Sequence, residues 1–190
     1  HAMTYHDDIT GSDLVRIGAG FAVRDTMKWR PVLTVAKYAG SDLTVDPIDV
    51  IIAPGNLLTT AGLTRITSLI TGGGGQAATN TSARIGVGNS STAAAVGQTD
   101  LQAAAGAANR WFQTMDATFP QVSAGLMTFR STVGTADGNF AWAEWGIDIG
   151  TPTVTTGTTV NATLLNRAVQ ALGTKTSAGT WVATATITLS

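Results

Sequence analysis

The chain has 190 residues, no cysteine, a formal net charge of -1 and only 12% charged residues. A typical soluble domain carries about 25% charged residues, so this surface offers nucleic acid no electrostatic footprint. Zinc-thiolate sites, disulfides and cysteine nucleophiles are excluded because cysteine is absent. No apolar run approaches the roughly 18 residues that a membrane-spanning helix needs, so we expect no membrane partner.

The length favours a single domain. The sequence begins with His1, Ala2 and Met3, which is typical of a cleaved affinity tag in front of a native methionine. We therefore interpret 1–12 as tag remnant and flexible N-terminus, and 13–190 as one β-rich domain. Within that domain, 13–55 is a candidate N-terminal arm or elaboration.

The first 55 residues contain apolar or alternating runs at 13–23, 31–38 and 48–53, which are candidate strands. The next element is a helix. Thr59 or Thr60 can cap it, and Gly72 to Gly75 can end it. Its apolar residues recur at spacings of three and four: Leu63, Ile66, Leu69 and Ile70. A short strand is predicted at 84–88, and Thr99 with Asp100 can cap one or two further helical turns.

Strands dominate from about residue 110 onward. Period-two alternation predicts strands at 126–133, 140–149 and 180–189, with a further candidate at 164–172. The turn residues at 135–139 suggest that the first two of these strands form a hairpin. The sequence as a whole predicts a mainly β fold, an antiparallel β-sandwich or distorted barrel with one or two short helices.

Two glycine-rich segments do not support a cofactor site. The segment 17–23 has Val23 where a dinucleotide-binding fingerprint has its third glycine or alanine, and Gly72 to Gly75 lacks the lysine of a phosphate-binding loop. His6 is the only native histidine, and the acidic residues near it lack the spacing of a calcium loop. We expect no cofactor, no metal and no catalytic residues, and therefore no enzyme.

One group of residues could form a ligand or interface surface: Trp142, Glu144 and Trp145. Aromatic side chains stack on sugar rings, so a carbohydrate-binding surface is one interpretation. Glu144 and Asp148 on one strand would stand about 13 Å apart, too far for a glycosidase pair. The alternative is a structural tryptophan cluster with a hydrogen-bonded or ion-paired Glu144.

A series of short segments resembles structural proteins of tailed bacteriophages, particularly small tail, tail-fibre and collar-type proteins. The resemblance covers about residues 56–190, and its segments occur in a fixed order along the chain. They are 56–63 (NLLTTAGL), 83–93 (ARIGVGNSSTA), 98–102 (QTDLQ), 115–120 (MDATFP), 129–133 (FRSTV), 139–147 (NFAWAEWGI), 164–168 (LLNRA) and 173–176 (GTKT), followed by a threonine-rich final strand.

The resemblance implies a non-enzymatic virion component, in the tail, tail fibre or collar, that assembles as a trimer or hexamer with itself and with other virion proteins. Such a protein is made in the cytoplasm of the host bacterium and resides in the phage particle. Two alternatives stay open: a capsid head-decoration or head-fibre protein, and a carbohydrate- or receptor-binding module that recognises a host-surface glycan. A threonine-rich chain with few charges suits strand pairing between copies.

Overall fold

The computed structural model describes residues 14–17, 21–24, 28–151 and 162–190. The described strands form two antiparallel five-stranded sheets and one separate two-stranded hairpin. The sheets face each other as a sandwich and do not close into a barrel, so the sequence prediction of a mainly β sandwich is confirmed. In chain order the strands are β1 Leu14–Ile17, β2 Phe21–Arg24, β3 Trp29–Ala39, β4 Asp49–Pro54, β5 Leu57–Leu58, β6 Ala83–Gly88, β7 Arg110–Thr114, β8 Gln121–Ser123, β9 Leu126–Val133, β10 Ala141–Ile149, β11 Thr163–Thr174 and β12 Gly179–Leu189.

The first sheet, which we term sheet I, has the strand order β4-β3-β12-β9-β8. Its central strand β12 alternates as the sequence predicts: the residues facing the sandwich are buried, and threonines alternate with them on the outer face. The buried set is Trp181, Ala183, Ala185 and Ile187. Leu33 and Val35 of the neighbouring β3 and Phe129 of β9 complete this side of the core.

The second sheet, sheet II, has the order β5-β11-β10-β6-β7. Ile85 and Val87 of β6 and Trp145, Ile147 and Ile149 of β10 face sheet I and fill the other half of the core. Both faces of this sheet are buried, since all six residues of β6 and eight of the nine residues of β10 are buried or half-buried. Something other than sheet I therefore covers its outer face.

The prediction that 126–133 and 140–149 form a hairpin is wrong. Both segments are strands, β9 and β10, but β9 pairs with β12 and β8 in sheet I, whereas β10 pairs with β11 and β6 in sheet II. The turn between them crosses the sandwich from one sheet to the other. The helical turns expected after Thr99 are also wrong, because 99–108 adopts a non-helical path.

The segment assigned as a candidate arm, 13–55, contains three different structures. Its first part holds the separate hairpin of β1 and β2. Its remainder supplies β3 and β4, with β3 hydrogen-bonded along its whole length to β12. Residues 29–54 are therefore built into the sandwich, and removing them would remove Leu33 and Val35 from the core. The predicted tag remnant and flexible terminus, 1–12, lie outside the described residues.

The predicted helix is present as α1, Thr60–Thr71. Thr59 is its N-cap, accepting a hydrogen bond from the Gly62 amide, and Gly72 ends it in the left-handed conformation that favours glycine. Gly62 lets the helix approach β11, because a Cβ there would overlap the Leu165 carbonyl. Among the described residues, α1 is the only α-helix. No helix in this part of the chain has the length and apolar character required to cross a bilayer.

Candidate functional site

The three residues proposed as a surface all lie on β10, and all three are buried with at most 1% of their area exposed. Trp142 packs edge-on against Trp181 of sheet I, with ring centroids 4.7 Å apart. Its indole Nε1 donates to the Gly138 carbonyl at 2.9 Å. Trp145 lies in the centre of the core. The prediction of an exposed ligand surface at Trp142, Glu144 and Trp145 is therefore wrong.

A β-bulge explains why both tryptophans face the core. Strict alternation would place Trp142 and Trp145 on opposite faces of a strand. The register between β10 and β11 shifts between Trp142 and Glu144: Trp142 pairs with Gly173 and Glu144 with Val169, so the two additional residues belong to β11. Alternation along β10 breaks at this irregularity, and Trp142 packs toward sheet I while Glu144 lies on the outer face of sheet II.

Glu144 is the centre of a closed polar network on that outer face. Arg167 of β11 donates from Nε to Glu144 Oε2 at 2.6 Å, and both side chains are fully buried. The backbone amides of Gln102 and Ala103 donate to the same carboxylate at 3.0 and 2.7 Å. A structural tryptophan cluster with an ion-paired Glu144, the alternative drawn from the sequence, is the arrangement that the structure has.

The segment 89–109, which we term the cover loop, lies over this network. Besides the two amides, it supplies the Gln98 side chain and the Thr92 carbonyl, which accept from Arg167 at 2.9 and 2.8 Å. Leu101 of the cover loop and Phe112 of β7 form a small apolar cluster beside it. The cover loop is therefore what buries the outer face of sheet II.

Two glycines of β6 make room for these side chains. A Cβ at Gly86 would overlap the Phe112 ring, and a Cβ at Gly88 would overlap the Glu144 carboxylate. The strand predicted at 84–88 is present, and its two glycines have a role that the sequence pattern does not indicate. Their requirement is steric: side chains from the neighbouring strands lie flat across them.

A second ion pair on the same face joins Asp148 of β10 to Arg84, its direct cross-strand partner on β6. The nearest oxygen and nitrogen atoms are 3.8 Å apart, too far for a hydrogen bond, and Arg84 instead donates to the Gly150 carbonyl at 2.7 Å. Within the described residues, neither Asp148 oxygen has a hydrogen-bond partner. Burial, offset only in part by Arg84, raises the pKa of Asp148 to about 8.

The third pair joins Asp100 of the cover loop to Arg110 of β7 at 2.9 Å. Burial raises the pKa of Asp100 above its ordinary value, although the charge of Arg110 opposes the shift. Three acids and three arginines thus lie beneath and within the cover loop. Each acid has an arginine nitrogen within 3.8 Å, and Glu144 is sealed from solvent.

A groove runs between α1, the glycines 73–75 and Thr163. Arg65 lines it, but its guanidinium donates to Thr163 Oγ1 at 2.7 Å and to the Gln76 carbonyl at 3.3 Å. These bonds tie the helix to the segment that follows it. No group of three or more histidine, cysteine or acidic side chains suited to a metal ion occurs among the described residues.

The outer face of sheet I is exposed at its β4 edge, whereas Val182 of the central strand β12 is buried on the same face. The register places these residues on it: Val50 and Ile52 of β4, Val32, Thr34 and Ala36 of β3, Thr184 and Thr186 of β12, and Thr128, Arg130 and Thr132 of β9. Val50 and Ile52 are 47% and 63% exposed, and Ile48 just before the strand is 72% exposed. The sequence analysis predicted the strand at 48–53 but not its exposure, since a continuous apolar run is more typical of a buried strand.

Comparisons of the chain with protein-family models, with curated proteins and with solved structures find no significant match.

Proposed function

We propose that the chain is a non-enzymatic structural protein of a tailed-phage virion, a tail, tail-fibre or collar component that assembles as a homo-oligomer. The resemblance of residues 56–190 to such proteins motivates the proposal. The open outer face of sheet I carries it, because this face combines exposed apolar side chains with a sheet edge.

The chemistry of that face suits burial between subunits. Its valine, isoleucine and alanine side chains would gain free energy on burial, and each threonine hydroxyl would need a hydrogen-bond partner in the interface. Two charged residues lie on this face: Arg130, which already pairs with Asp116 at 3.1 Å, and Arg30 near the start of β3. A partner covering this face would therefore desolvate few unpaired charges.

The covered face of sheet II supports the non-enzymatic part of the proposal. Glu144 and Asp148 are the groups that a catalytic interpretation of the sequence would use. Glu144 is paired with Arg167 and accepts from two backbone amides, and Asp148 is buried beside Arg84 on the same covered face. A carbohydrate-binding role through Trp142 and Trp145 has no support, since both rings are buried.

The test is to locate the chain in purified particles of the phage that encodes it. An antibody raised against the purified chain is used for immunogold labelling and for quantitative mass spectrometry of the particles. We expect labelling of the tail or collar and a copy number that is a multiple of three. Labelling of the head would support the capsid-decoration alternative instead. Absence from purified particles would refute a virion role.

A further inference from the structure

The edge of sheet I at β4 is the strongest unpartnered feature among the described residues. The strand pairs with β3 on one side and, within the described part of the chain, with no strand on the other. Natural proteins usually protect such an edge with a lysine, a bulge or a covering segment. Here the edge residues Val50 and Ile52 are apolar and exposed.

The ladder with β3 fixes which backbone groups of β4 point away from the sheet. The Gly55 amide donates to the Pro31 carbonyl at 2.9 Å, so Gly55 and Pro31 form a hydrogen-bonded pair of the antiparallel ladder. Such pairs alternate along an antiparallel ladder. Ile51 and Ala53 therefore turn their amides and carbonyls toward β3, while Val50 and Ile52 turn theirs outward.

We propose that β4 pairs with β4 of a second copy of this chain, antiparallel and about a two-fold axis at Ile51. In that register Val50 lies opposite Ile52 of the second copy, and Ile52 opposite its Val50. The two amides and two carbonyls that each strand turns outward then form four hydrogen bonds between the copies. The two sheets become one continuous sheet.

The rest of the strand fits this register. The exposed side chains form two valine–isoleucine pairs across the axis, a favourable combination on a sheet. Asp49, the only charged residue of β4, already binds Lys37 at 2.8 Å and would face Ala53, so no like charges meet. Pro54 has no amide hydrogen and ends the ladder on each side, which prevents a longer pairing.

This inference rests on the proposed assembly role and names the contact through which it occurs. A two-fold contact joins copies in pairs, so it is compatible with a hexamer made of three pairs and not with a simple trimer.

The absence of native cysteine makes a direct experiment available, because a disulfide in a single-cysteine variant must join two copies. Ile51→Cys is compared with Val50→Cys, Ile52→Cys and Val122→Cys under mild oxidation in dilute solution. Val122 is the matched control, since it is 75% exposed on β8 at the opposite edge of the same sheet. The readout is the fraction of covalent dimer on a non-reducing gel.

We expect Ile51→Cys to form most of the covalent dimer, because residues on the axis lie directly opposite each other at disulfide distance. Cysteines at 50 or 52 meet their own copies only diagonally, about 7–8 Å apart, and should cross-link poorly. Strongest cross-linking at 52 would overturn the register, and strongest cross-linking at 122 would overturn the choice of edge.

Light scattering supplies a measurement that does not depend on a cysteine at the half-buried position 51. Ile52→Lys should halve the solution mass, from a dimer to one chain or from a hexamer to a trimer, whereas Val122→Lys should leave the wild-type mass unchanged. A wild-type oligomer whose mass Ile52→Lys does not change would overturn the pairing and leave the virion proposal standing. A wild-type monomer at all concentrations would overturn the pairing, while particle labelling would still decide the virion role separately.

Discussion

The outer faces of the two sheets are opposites. The outer face of sheet II carries three acid–arginine pairs and is sealed by the cover loop, whereas the outer face of sheet I carries mainly threonine and aliphatic residues and is open. The charged face is thus the one that the chain buries against itself. The face with few charges is the one whose β4 edge the described residues leave exposed.

The difference follows from how each kind of group tolerates burial. A buried ion costs several kcal/mol to desolvate unless an opposite charge and hydrogen bonds replace its water. The cover loop supplies those bonds to Glu144 through the amides of Gln102 and Ala103, so the buried carboxylate holds the loop in one position. A threonine or valine face imposes no such geometric demand and can accept another sheet or a second copy.

The largest expected effect comes from Glu144→Gln, which keeps the shape of the side chain but leaves the buried Arg167 without its counter-charge. We expect the free energy of unfolding to fall by about 3–5 kcal/mol. Urea denaturation measures the loss. Hydrogen exchange should also show faster exchange of the Gln102 and Ala103 amides, because their acceptor is weakened.

The paired variant Glu144→Leu with Arg167→Met distinguishes the charge from the packing. Removing both charges should restore a large part of the stability lost in Glu144→Gln. A loss below about 1 kcal/mol in the single variant would mean that the pair behaves like a surface salt bridge, contrary to its burial.

Asp148→Asn tests the least satisfied group on the covered face. The folded-state pKa of about 8 lies above the ordinary value of 3.8, so the folded wild type holds a proton that the unfolded chain releases. The stability that this proton contributes is fully present below about pH 4 and is lost as the pH rises through 8. From pH 4 to pH 8 the variant should therefore gain about 2–4 kcal/mol relative to the wild type.

The measurement is urea denaturation of both proteins across that pH range. Asp42→Asn is the control, because a hydrogen bond from Thr44 lowers the pKa of the exposed Asp42, so its contribution is already present above about pH 4 and this variant should run nearly parallel to the wild type. Parallel stability curves for Asp148→Asn and the wild type would show that Asp148 is ionised in the fold.

Gly88→Ala tests the close contact between β6 and the Glu144 carboxylate. The added methyl group would overlap the carboxylate, so the network must shift, at a cost of about 1–3 kcal/mol. Gly97→Ala, also next to the network but with open space around its Cβ position, should change the stability little. Equal effects of the two variants in thermal denaturation would contradict a specific steric role for Gly88.

The sequence predicts the strands far better than their partners. Alternation located β9, β12 and most of β10 to within a residue or two, because a half-buried strand must alternate. It could not show that β9 and β10 lie in different sheets, since the turn 134–140 has the composition of a hairpin turn. Partner choice depends on contacts that are distant in sequence.

The prediction of a ligand surface at Trp142, Glu144 and Trp145 is wrong for two physical reasons. The register shift after Trp142 breaks the period of two, so alternation along β10 cannot show that Trp142 and Trp145 both face the core. The cover loop consists mostly of alanine, glycine, serine and threonine, and its binding to Glu144 uses backbone amides that leave no residue-specific signal. The ion pair itself was accessible to sequence reasoning, because a glutamate among buried aromatic residues requires a partner.

The smallest expected effect is that of Asp49→Asn, which makes the same change from carboxylate to amide at an ion pair on the open sheet. Asp49 accepts from Lys37 at 2.8 Å, a distance close to that of the Glu144 pair, but half of the Asp49 side chain is exposed. The hydrogen bond from Lys37 lowers the pKa of Asp49, so its contribution is present near neutral pH and lost as the pH falls through that lowered value. Water and salt screen such a pair.

We expect urea denaturation to give nearly equal stabilities for the variant and the wild type, with any difference vanishing in 1 M salt. Lys37 would keep its contact with the Trp181 ring, 4.6 Å away. The comparison is made at a dilution at which light scattering finds single chains, so that the β4 edge is free. A loss as large as that of Glu144→Gln under those conditions would contradict the screening of this pair by water.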